Sequence, residues 1–204
     1  MGTWTAFLFW TLAFWPGAAY AGSAHAFRSG LNCYGVWRLP DTGQTTVYAA
    51  GDDASYQPAA VKPGFTIYSI GSSSVTVDNV SGLMWVTNPG DACAGCAGGY
   101  VSSGTYAWTA ALAVCENLSY AGYNDWRLPN ANEIDTIVDY TKTAAPAINT
   151  AYFLNTAGTS TYWTSTTSPL ATDRGMTVYF GTGSMTSGSK VGKLSVRCVR
   201  AGPY

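Results

Sequence analysis

Histidine is almost missing from this chain: His25 is the only one among 204 residues. Its absence elsewhere removes the Ser-His and Cys-His pairs that activate a hydroxyl or thiol nucleophile at neutral pH. Charge is scarce as well. Asp, Glu, Lys and Arg make up 10% of the residues, against about 25% in an average soluble domain. The net charge is −1 and no run of Lys or Arg occurs, so neither nucleic acid nor an anionic membrane surface is expected as a partner. A carboxylate pair with a motivated spacing is also lacking. Asp135 and Asp139 stand four apart on an expected helix, where like charges ordinarily mark a solvated face. No catalytic residue, and therefore no enzyme, is expected.

The first 21 residues hold no charged side chain but a dense apolar run from Trp4 to Trp15, then Pro16 and the triplet Ala19-Tyr20-Ala21. They read as a signal peptide, 1–21, although the basic leader is absent and Ala24-His25-Ala26 offers a second cleavage point. The run falls short of the ~20 residues of a spanning helix, so no membrane association is expected after cleavage. The five cysteines, at 33, 93, 96, 115 and 198, would oxidise in an exported protein. An odd count leaves one free and buried or paired between chains.

Residues 22–62 are rich in Gly, Ala, Asp and Pro and carry no sustained period. They are expected to form an extended N-terminal arm or cap, with one short strand near 45–49. A single domain, 63–204, follows. Strands are expected at 65–70, 75–78 and 83–86, with Asp78-Asn79 and Ser81-Gly82 as turn chemistry. A loop at 88–104 contains Cys93-Ala94-Gly95-Cys96. A haem link would need His at 97, where Ala stands, and a redox pair would want a helix start where Gly98-Gly99 follow. Zinc would need more ligands than a chain with one His supplies there.

A helix is expected at 106–118, with Trp108, Leu112, Cys115 and Leu118 on one stripe. A second opens at Asn130 with Glu133 three residues on, a capping-box pattern, and buries Ile134, Ile137 and Val138. Strands at 161–166, 176–180, 184–187 and 194–199 close the chain. Helices flanked by antiparallel strands indicate α+β rather than parallel α/β.

Five motifs come in order: Thr76-Val77-Asp78-Asn79-Val80-Ser81-Gly82-Leu83-Met84-Trp85; Trp108 with Ala110-Ala111-Leu112; Gly122-Tyr123-Asn124-Asp125-Trp126-Arg127-Leu128-Pro129-Asn130 running into Glu133; Tyr162-Trp163-Thr164-Ser165-Thr166; and Val196-Arg197-Cys198-Val199-Arg200. Over about residues 39–200 the series resembles the Lcl C-terminal domain family of bacterial secreted and surface proteins. The resemblance implies a C-type-lectin-like, formylglycine-generating-enzyme-like fold with two helices packed on antiparallel sheets. It also implies adhesion and glycosaminoglycan binding. It further implies a disulfide from Cys115 on the first helix to Cys198 in the last strand. Cys93 and Cys96 then pair locally, or one of them pairs with Cys33. The enzymatic branch of that fold uses a cysteine pair near the C-terminus, and here Cys198 stands alone. Calcium-dependent sugar binding of the Glu-Pro-Asn or Gln-Pro-Asp kind has no matching tripeptide. No cofactor is expected, and calcium at Asp52, Asp53, Asp78 or Asp91 has no spacing to support it.

The candidate contact surface lies within 162–190, where Tyr162, Trp163, Asp173, Arg174, Tyr179 and Lys190 stand among Ser, Thr and Gly. Such mixtures combine rigid contact area with adaptable hydrogen bonding. Trp85 and Trp163, in strands that alternate apolar and polar residues, suit a core better than a sugar-stacking platform. Arg127 is free to clamp backbone carbonyls or a carboxylate such as Asp125. The expected function is a secreted bacterial surface or extracellular binding or adhesion module for a carbohydrate or protein ligand. The alternative is a structural subunit of an extracellular filament, self-assembled through the arm.

Overall fold

The computed structural model describes residues 42, 44, 46–56, 64–89 and 104–202, all within the unit Trp37–Tyr204. Residues 1–21, most of 22–62, and Cys33, Cys93 and Cys96 lie outside the described residues. The stretch 46–56 ends in one helical turn, α1 (Asp53–Tyr56), and is organised by Asp52. That carboxylate accepts from the amides of Tyr48 at 2.8 Å and Ala49 at 3.3 Å and from Ser55 Oγ at 2.9 Å. The Tyr48 amide foremost, with the Ser55 and Ala49 donors, holds it below its ordinary pKa against desolvation. Among residues 46–49 there is no strand, because amides spent on a side chain are unavailable to a ladder.

The first sheet is a meander of β1 (Phe65–Ile70), β2 (Ser73–Asp78) and β3 (Leu83–Val86), joined at its far side by β7 (Val199–Ala201). Its β-branched and aromatic runs are punctuated as the sequence indicates. The Asp78 carboxylate accepts from the Val80 amide at 2.8 Å and from Ser81 Oγ, and the Gly82 amide returns to the Asp78 carbonyl at 2.8 Å. The second sheet is β4 (Thr161–Thr167), β5 (Arg174–Tyr179) and β6 (Ser184–Ser189), in that order. Every strand pair is antiparallel, so the architecture is α+β.

Two helices complete it. α2 (Trp108–Glu116) is shorter than the expected 106–118 and has no side-chain N-cap. Its first amide, that of Trp108, donates instead to the Lys190 carbonyl at 3.0 Å, which satisfies one orphan donor from outside the helix. α3 (Ala131–Asp135) carries the expected capping box but is a single turn of α-helix. Ile134, Ile137 and Val138 are buried as expected, the last two on the turns that follow.

Among the described residues two apolar clusters form the interior. One joins Val75, Val77, Ala111, Cys115, Trp126 and Trp163, and the other Trp85, Ile134, Phe153, Tyr162, Val178 and Phe180. Cys115 and Cys198 are disulfide-bonded, with α-carbons 5.5 Å apart across a separation of 83 residues. Closing that loop stabilises by about 4.5 kcal/mol in the chain-entropy model. The expected strand 194–199 is broken. Leu194 and Ser195 make isolated bridges to Tyr106 and Tyr162, and the ladder with β3 begins at Val199, beside the Cys198 carbonyl, which accepts from the Val86 amide at 3.2 Å. Residues 196 to 199 are all buried, because the segment passes from one sheet to the other and has no solvent face to alternate with.

Candidate functional site

The six expected contact residues sort into three groups. Tyr162 and Trp163 are 4% and 0% exposed, which corrects their placement on a contact surface. The sheet is covered on both sides at β4. Tyr162 stacks edge-on against Phe180, centroids 5.1 Å apart, while Trp163 enters the other cluster and donates from Nε1 to the Tyr106 carbonyl at 2.7 Å.

Asp173, Arg174 and Lys190 come together at the end of the sheet where β4 turns into β5 and β6 leaves. Lys190 Nζ donates to Thr167 Oγ1 and to the Thr172 carbonyl, each at 2.9 Å, and lies 4.0 Å from the centre of the Trp108 ring. The Lys190 amide bonds the Asp173 carbonyl at 2.9 Å. With two donors occupied and its charge over an indole, Lys190 acts as a clamp that locks the 168–173 turn to the 189–193 turn. Arg174 donates from Nε to Ser187 Oγ at 3.0 Å and from Nη2 to the Ser187 carbonyl. Asp173 is exposed. Tyr179 sits at the opposite end of β5, five residues from Arg174 and roughly 17 Å away at about 3.3 Å per residue. Its ring lies over Gly181, where a Cβ would come within 2.2 Å of it.

The same end carries two residues that the sequence did not single out. Leu170, in the β4–β5 turn, is 95% exposed and Val191, after β6, is 85% exposed. Trp108, expected on the helix stripe, lies half-buried beneath Lys190 at that end. It donates from Nε1 to the Thr164 carbonyl at 2.8 Å and packs against Gly175, where a Cβ would lie 2.8 Å from the ring. For Leu170 and Val191 the only sequence signal was an aliphatic residue in each of two polar turns.

The charged residues of the family-like motifs bond within the chain. Arg127 pairs with Glu133, not with Asp125: its Nη1 and Nη2 reach the two carboxylate oxygens at 2.7 and 2.6 Å. Glu133 also accepts from the Asn130 amide at 2.8 Å, and the Asn130 side chain accepts from the Glu133 amide at 2.9 Å. Burial pushes the Glu133 carboxyl up, but Arg127 and the Asn130 amide outweigh it and hold the group below its ordinary value. Asp125 is taken by Arg200 at 2.7 and 3.0 Å, and the guanidinium lies 3.9 Å from the Tyr123 ring centre. The Arg200 hydrogen bonds hold Asp125 low. The carbonyl clamp is Arg197. Fully buried, it donates to the carbonyls of Val86, Thr87 and Leu154 at 2.7, 3.1 and 3.0 Å and to Thr156 Oγ1 at 2.7 Å. Of the aspartates weighed for calcium, Asp52 and Asp78 serve the turns described above and Asp53 accepts from Thr42 Oγ1. Asp91 lies outside the described residues. Among the described residues no helix is long and apolar enough to cross a membrane.

A family model described as the Lcl C-terminal domain matches residues 74–200. No curated protein matches the chain.

Proposed function

The chain belongs to the Lcl C-terminal domain family, and from that premise we propose that it is a secreted extracellular or cell-surface binding and adhesion module, not an enzyme. It takes a carbohydrate or protein ligand at the end of the second sheet formed by the 168–173 and 189–193 turns. The fold is C-type-lectin-like, with residues 22–62 as a preceding arm. Support for that fold comes from the disulfide between α2 and the last segment, where the family resemblance implies one.

The observation that carries the reading is the exposure of Leu170 and Val191 on turns that Lys190 fastens together. Isolated exposed aliphatics are ordinary, but two on neighbouring, clamped turns, with the exposed carboxylate of Asp173 beside them, form a preorganised contact patch. Ordering two loose loops on binding would cost conformational entropy, and the clamp removes much of that cost. The test is binding of the purified chain to immobilised heparin and to cultured epithelial cells. Leu170→Ser with Val191→Ser should weaken binding about tenfold or more, the effect of losing about 1.4 kcal/mol. Unchanged binding by the folded double variant to both surfaces would place the contact elsewhere.

A further inference from the structure

β1 forms one end of the first sheet, and among the described residues nothing pairs with its outward edge. Natural edge strands are usually protected by lysine, proline, a bulge or shortness. β1 reads Phe-Thr-Ile-Tyr-Ser-Ile, carries no charge and no proline, and pairs with β2 without a register break from Phe65↔Asp78 to Ile70↔Ser73. The other end of this sheet is covered, since Val199 of β7 exchanges both bonds with Arg127 at 2.9 Å. In the second sheet β4 is covered by Ser195, and β6 offers Ser, Thr and Gly with one Met.

The ladder decides which groups are open. The Gly64 carbonyl accepts from the Asn79 amide at 2.8 Å, so Gly64, Thr66, Tyr68 and Ile70 turn their backbone groups toward β2. By the antiparallel alternation, Phe65, Ile67 and Ser69 turn theirs outward. None of these outward groups has a partner among the described residues.

We propose that the outward edge of β1 pairs with β1 of a second copy of this chain, antiparallel about a two-fold axis that passes between the two Ile67 residues. An axis perpendicular to the sheet must keep paired side chains on one face, which requires a residue, not a peptide bond, at the centre. Centring on Ile67 sets Ile67 against Ile67 of the second copy and Phe65 against Ser69. The outward N–H and C=O groups of all three residues then meet their complements, and none is left over. Centring on Tyr68 instead sets Phe65 opposite Gly71, beyond the strand. Side chains agree with the first choice. Ile67 and Tyr68 are 38% and 49% exposed; the pairing covers Ile67 on one face and brings Tyr68 over Thr66 of the second copy on the other. With no charge in the strand, no like charges meet at the axis, and the closed isologous contact yields a dimer.

Sedimentation equilibrium of the full mature chain at micromolar concentration, with amide exchange on the same samples, tests this. A dimer with a protected Ile67 amide is expected. Ile67→Lys, which sets two ammonium groups at the axis, and Ser69→Asp should each give a folded monomer, with near-UV circular dichroism unchanged and at least a tenfold weaker association. Ser72→Lys, in the exposed β1–β2 turn, should stay dimeric. A monomeric wild-type chain overturns the proposal, and if its Ile67 amide is protected, the chain's own residues occupy the edge. A dimer that survives both edge variants overturns it too. The ligand patch lies on the other sheet, so heparin and cell binding by Ile67→Lys reports separately on the function proposed above.

Discussion

Glu133 offers the sharpest energetic test, because one carboxylate closes the α3 capping box and neutralises Arg127. Replacing it with Ala takes away the acceptor of the Asn130 amide, worth about 1 kcal/mol for a cap. It also takes away the bidentate partner of Arg127. That side chain is 44% exposed against 17% for Glu133, so solvent screens the pair and about 0.5–1 kcal/mol is the fair figure. Part of this returns as the desolvation of Glu133 is relieved, leaving a net loss of about 1.5 kcal/mol. Glu133→Gln keeps an oxygen for the cap and loses the charge, and should cost about 0.5 kcal/mol. The sign with pH follows from the direction of the shift. The folded carboxyl titrates below the ordinary 4.5, so its contribution is fully present above that value and is lost as pH falls through the folded pKa. Urea unfolding followed by Trp fluorescence at neutral and acid pH reads all three quantities. Equal losses for the Ala and Gln variants, or a Gln variant with the wild-type acid slope, would refute the reasoning.

Cys115→Ala with Cys198→Ala should lower stability by about 4–5 kcal/mol, read from urea midpoints, and non-reducing peptide mapping should recover the bond in the wild type. Gly175→Ala should destabilise by about 1–3 kcal/mol in thermal unfolding, because the added Cβ lies 2.8 Å from Trp108 and 3.1 Å from Trp163. Lys190→Met should free the Thr172 carbonyl and the Trp108 face, raising amide exchange across 168–173 with little change at β1. Tyr140, buried in part and hydrogen-bonded to Asp135 at 3.0 Å, has its hydroxyl pushed up to about 12. Its tyrosinate absorbance should appear at lower pH in Asp135→Asn.

Local chemistry was the most legible part of the sequence. β1 and β3 fall where their β-branched and aromatic runs end at Gly64, Gly71, Gly82 and Ser81, and the Asn130–Glu133 box forms as its spacing indicates. Long-range partners were less so. Sequence proximity points Arg127 to Asp125, its near neighbour, but the closed α3 turn brings Glu133 to it instead. The run of β4 suggested one wet face for Tyr162 or Trp163, but clusters press on both sides of that strand. Arg197 gave no signal, since a basic residue in an apolar motif looks solvated until the carbonyls of Val86, Thr87 and Leu154 converge on it. Lys190 looked like a free cation for a ligand until the fold brought Trp108 beneath it.

The contact patch is tested most directly by amide-exchange footprinting of the intact chain with and without heparin, and with detached cell-surface material in parallel. Added protection confined to 168–174 and 189–193, and lost in Leu170→Ser with Val191→Ser, is the result the account predicts. Protection that falls on β1, on α3 or on the Tyr179 end of β5, with those two turns unchanged, would contradict it.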